Sequence, residues 1–95
     1  MIPRGLWRTR NGDKTLLLDC IDHELVHISD YASGKAYQYF TAYGDQTREN
    51  IMEYKAWYEN VSYNNRFNPS NPDLNYYIQQ RDIYKALLPK GWRKY

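Results

Sequence analysis

His23-Glu24-Leu25-Val26-His27 sets two imidazoles four residues apart with a carboxylate between them. On a helix, residues i and i+4 stand one above the other, so both rings can reach one ion. The pattern H-E-x-x-H is the one in which such a pair holds zinc and the glutamate serves as general base. Zinc–nitrogen bonds of about 2.0–2.1 Å call for a third protein ligand and leave a fourth position open. Glu24 is turned about 100° from His23 around the helix, near enough to act on a water without being tied to the metal. The chain has only two histidines, and both lie in this pattern. The plainer reading is a helix that carries two surface histidines.

The elements that must position these groups follow from spacing. An irregular or short-strand entry runs to about Thr15, and helix is expected from there to about Ala32; the competing reading starts the helix early, with Asp13 or Thr15 as its N-cap. Asn11-Gly12-Asp13 between Leu6–Arg10 and Lys14–Leu18 is a type I′ hairpin signal, so a short N-terminal β ribbon is expected. Ser33-Gly34 ends the helix, glycine being free to take a left-handed cap. Leu17, Leu18, Ile21, Leu25, Ile28 and Ala32 form an apolar stripe at helical spacing. The histidines fall on the opposite side with Leu16, Cys20 and Tyr31, which places this helix between core and cleft. Lys35 to Tyr43 is aromatic-rich and alternates loosely, as a strand or an ordered loop.

After Gly44, Asp45 or Thr47 can cap a second helix to about Val61. Ile51, Tyr54, Tyr58 and Val61 are its core stripe, and Glu49, Glu53, Ala56 and Asn60 run beside it. The small Ala56 allows close approach to the first helix, bringing Glu53 within reach of the ion. Glu49, in the first turn, and Glu59, on another face, are rivals for that place. Ser62 to Asn71 reads as a loop. Asn71-Pro72-Asp73 then opens a third helix with Tyr76, Tyr77, Ile83, Tyr84, Leu87 and Leu88 on its apolar face. Trp92-Arg93-Lys94-Tyr95 reads as a frayed end rather than a nucleic-acid contact.

Ninety-five residues imply one domain, 1–95, near the lower limit for independent folding. The 42% hydrophobic content is skewed to aromatics, with 11 tyrosines and 3 tryptophans, and a net charge of +2 selects no partner. One cysteine, Cys20, excludes an internal disulfide and is more simply a buried thiol than a ligand. No apolar run approaches a membrane span. The start Met1-Ile2-Pro3-Arg4-Gly5 shows no signal-peptide leader, so delivery as part of a larger secreted protein is the route left open beside a cytoplasmic place.

His23 through Lys35, with Asp30, Tyr31 and Gly34 after the second histidine, resembles the zincin metallopeptidase domains at the C-terminal ends of Rhs-repeat polymorphic toxins, of gluzincin type. Their second helix carries E-x-x-A and then Glu-Asn, matched here by Glu53-x-x-Ala56 and Glu59-Asn60. The resemblance covers about Leu17 to Arg66. It implies His23, His27 and Glu53 as ligands of Zn2+, with Asp30, Glu59 and Asn60 supporting them from behind, Asp30 by holding a histidine's other nitrogen. It also implies a protein or peptide substrate and an immunity protein as partner. Ser33 in place of a third histidine excludes metzincins, and Trp57 four residues after Glu53 excludes the thermolysin pattern.

The expected fold class is therefore α+β and helix-dominated: a minimal zincin-like domain with an H-E-x-x-H helix, a ligand-bearing second helix, a C-terminal helix and the short N-terminal ribbon. The expected activity is zinc-dependent peptide hydrolysis, with Glu24 moving the proton from water to the leaving amine. Arg66, Tyr76 or Tyr77 are candidates to steady the oxyanion. The rival readings are a degenerate zincin that binds a protein without cleaving it, and a metal-free helical binding module.

Overall fold

A computed structural model describes residues 14–92, with side chains from residue 17 onward. Four helices follow one another: α1 (Lys14–Ala32), α2 (Lys35–Tyr43), α3 (Asp45–Phe67) and α4 (Leu74–Lys85). There is no strand among the described residues, so the fold is all-α and the expected α+β class is corrected. Lys14 to Leu18, expected as the second arm of a β ribbon, is the first turn of α1. The other arm, Leu6–Arg10, and the Asn-Gly turn lie outside the described residues. A run of Leu-Leu-Leu next to a long helical segment extends that helix more readily than it pairs as a strand.

Lys35–Tyr43 is likewise a helix rather than a strand or loop. Glycines punctuate both its ends: Gly34 at φ +83° reverses the chain after α1, and Gly44 at φ +88° ends α2 with its N–H on the Phe40 carbonyl. The nine residues between bury Ala36, and helical geometry satisfies their backbone without a partner strand.

α3 is the axis of the molecule. It contacts all three other helices, and its residues 51–57 are buried all round. It runs on to Phe67, through the segment 62–67 expected as loop, because Asn60 and Asn64 are fully buried in hydrogen bonds instead of facing water. Trp57 and Val61 of α3 pack with Tyr77 of α4, flanked by Leu74, Ile78 and Tyr84. Asn71 caps the approach to α4 with its Oδ1 on the Asp73 N–H at 2.9 Å, and the helix proper starts at Leu74. Of the apolar face expected for α4, Tyr77 is buried, while Tyr76, Ile83 and Leu87 are exposed. Trp92, expected to fray, lies edge-on to Tyr54 and Tyr39.

α1 is packed opposite to its hydrophobicity. Leu17, Leu18, Ile21, Leu25 and Ile28 are 47–58% exposed, whereas Asp19, His23 and Asp30 are 0–3% exposed against α3. Burying polar groups is tolerated only where hydrogen bonds replace water. Here Tyr77 Oη donates to Asp19 at 2.8 Å, Asn64 and Asn71 each donate to it at 3.0 Å, and Lys55 donates to Asp30. That network gives α1 its inward face and sets the histidines against α3.

Candidate metal centre

With its polar side inward, α1 brings both histidines onto Glu53 of α3. His23 Nε2 lies 3.4 Å from Glu53 Oε2, and His27 Nε2 lies 3.0 Å from Glu53 Oε1. One ligating atom from each of the three lies within 4.8 Å of the others. Ligand atoms around a tetrahedral zinc with bonds of about 2.0–2.1 Å sit about 3.3 Å apart. The donor set, two imidazole nitrogens and one carboxylate, is one that could hold a single ion.

Hydrogen bonding behind His23 fixes which nitrogen faces Glu53. Asn60 Nδ2 donates to the Asp19 carbonyl at 3.0 Å, so its amide oxygen points at His23 Nδ1, 2.7 Å away. An amide oxygen only accepts, hence Nδ1 carries the proton. Nε2 is then the nitrogen that faces the Glu53 carboxylate. This is the fit a metal ligand requires, with the second nitrogen anchored by a hydrogen bond.

Burial works to raise the Glu53 carboxyl, but hydrogen bonds and charge attraction from His23 and His27 outweigh it and hold the group down at about 2. His23 is fully buried with Trp57 edge-on to its ring at 4.4 Å, and His27 is 15% exposed, so the approach to the three donors is from the His27 side. There a cleft of about 320 Å³ opens, with Glu24, His27 and Glu53 in its wall beside Tyr31, Arg48 and Glu49. Glu24 is exposed within it.

The remaining expected residues divide. Glu49 lines the cleft, and Glu59 lines another opening with Asp22 and Lys55, so neither replaces Glu53 beside the histidines. Asp30, expected to hold a histidine, instead accepts from Lys55, two residues past Glu53 and on another side of α3. Asn60 does hold His23: seven residues past Glu53, it returns to the same face two turns along. Cys20 is outside the ligating group, and burial, then the nearby Glu24 charge, raise its thiol. Arg66 is exposed, lying over the Phe67 ring, Tyr76 packs edge-on to Trp57, and Tyr77 is buried on Asp19. None of these three lines the cleft.

Tyr31 and Arg48, both in the cleft, had been given no role. Arg48 Nη1 donates to Tyr31 Oη at 2.9 Å, while its Nε and Nη2 grip Asp45 Oδ1 at 3.0 and 2.8 Å. Tyr31 Oη thus accepts from a guanidinium that Asp45 holds. The signal was present in the spacing, since Tyr31 is one turn beyond His27 on the same face. No protein-family model, curated protein or solved structure matches this chain.

Proposed function

We propose that the chain is a zinc-dependent peptidase of the gluzincin kind, a toxin or effector domain as its likeness to the Rhs-toxin domains implies. The observation that carries this reading is the convergence of His23, His27 and Glu53 donor atoms within 4.8 Å at the wall of a cleft that also holds Glu24. Zn2+ held by these three would supply Lewis-acid polarisation of a peptide carbonyl and make water a better nucleophile near neutral pH. Glu24 takes the proton of the attacking water and passes it to the leaving amine. Asn60 holds His23 in the tautomer that turns Nε2 toward the donor set. Tyr31, polarised by Arg48, is the cleft's hydrogen-bond donor for the oxyanion, the role first sought in Arg66, Tyr76 and Tyr77. The substrate class is protein or peptide, and the open cleft suits an extended segment.

The test is digestion of casein or a peptide library by the zinc-loaded protein and by its Glu24→Gln variant. Wild type cleaves, and the variant loses at least about a thousandfold in rate while retaining its metal. Cleavage that persists in the variant overturns Glu24 as base, and a wild type that binds zinc without cleaving anything reduces the site to a binding module.

A further inference from the structure

The outward face of α1 has a second pattern that the metal site does not use. Leu18, Ile21, Leu25, Ile28 and Ala32 follow one another at spacings of three and four, a seam of period 3.5. Its large members are 47–58% exposed, and Leu17 beside them is 49% exposed. A seam of this period packs against another helix by knobs into holes, whereas the general apolar face of a globular helix is broader. α1 is about 28 Å long at 1.5 Å per residue, enough for nearly three heptads.

The flanks decide what kind of helix. Asp22 borders the seam on one side with Glu59 behind it, and Glu24 borders it on the other with Glu49 behind it. Among the described residues, Arg48 is engaged with Asp45 and Lys55 with Asp30, and Lys35 lines the same opening as Asp22 and Glu59, one cation beside two acids. A second copy fits the apolar part, since an antiparallel two-fold pairs Leu18 with Ile28 and Ile21 with Leu25. The same two-fold sets Asp22 against Asp22 and Glu24 against Glu24, and like charges across an interface select against the pairing. The acids also disfavour an anionic bilayer.

We infer that the exposed seam of α1 is a docking site for an amphipathic helix of a partner protein whose apolar stripe is bordered by lysine or arginine. The inference does not depend on the metal reading. Because Glu24 borders both seam and cleft, a helix seated there lies along the rim of the cleft.

The probe is a synthetic three-heptad helix with leucine at both seam positions and lysine at both flanks, with a glutamate-flanked twin as control. Each is titrated with the full chain by fluorescence anisotropy. The lysine peptide binds at least about tenfold more tightly than its twin, and weakens several-fold on going from about 50 to about 300 mM salt. Leu25→Asp, on an exposed position, lowers its affinity at least about tenfold with the helical circular dichroism unchanged, and Asp22→Asn lowers it several-fold. Equal affinity for the two peptides, no binding of either, or insensitivity to Leu25→Asp overturns the inference. So does sedimentation of the chain alone as a dimer that Leu25→Asp dissociates, which makes a second copy the occupant.

Discussion

His23 Nδ1 and Asn60 Oδ1 are 2.7 Å apart, and the Asn60 amide is itself held by the Asp19 carbonyl. The ring is therefore oriented by a chain of hydrogen bonds before any ion arrives. Replacing Asn60 with Ala frees the ring and removes a buried partner, and zinc affinity is expected to fall about 10–100-fold, measured by competition with a chromophoric chelator. Glu53 gives a pH prediction for the metal-free protein. Its folded value of about 2 is below the ordinary 4.5, so it contributes stability that is complete above about pH 4.5 and lost as pH falls through about 2. The contribution is on the order of 3 kcal/mol, the group being 9% exposed. Wild type and Glu53→Gln, compared by denaturant unfolding, should differ most near neutral pH and converge toward pH 2. At this scale much was legible: helical spacing places His23, His27 and Glu24 on one helix, and the small Ala56 hints at the approach of Glu53. Asn60 beside His23 followed only from the resemblance. The Lys55 partner of Asp30 and the Arg48–Tyr31 pair were not readable, because each joins residues 25 and 17 positions apart through the packing angle of two helices.

Asp19 joins three elements. From α1 it accepts hydrogen bonds from Asn64 of α3, from Asn71 before α4 and from Tyr77 of α4. Burial first, then the hydrogen bond to Asp19, push the Tyr77 hydroxyl far above its usual range, so it stays a donor at all ordinary pH. Tyr77→Phe leaves the buried carboxylate one donor short and is expected to cost about 1–3 kcal/mol in chemical denaturation. The shift of α1 that follows should lower zinc affinity with it, since Asn60 and His23 share the network. Helix limits set by glycine were legible from residue type, as at Gly34 and Gly44. The inward turn of α1 was not: its apolar stripe has the stronger pattern, and only partners distant in sequence make Asp19 and His23 the buried side. The helix at Lys35–Tyr43 was missed because nine aromatic-rich residues carry both periodicities, and its glycine caps, rather than its pattern, decide between them.

At the scale of the whole molecule, the buried apolar cluster among the described residues is centred on Trp57, Val61 and Tyr77, and buried polar side chains outnumber it. An ion that binds the folded chain and not the unfolded one adds directly to folding stability. No described helix is long and apolar enough to cross a membrane, so the exposed seam of α1 is not accounted for as a span. The central claim is that α1 and α3 together hold one divalent ion. Its most direct test is elemental analysis of untagged protein, purified without chelator, beside Glu53→Ala. The account predicts about one zinc per chain, held through dialysis in the wild type and lost from the variant. A wild type that carries no metal and takes none from micromolar zinc contradicts it.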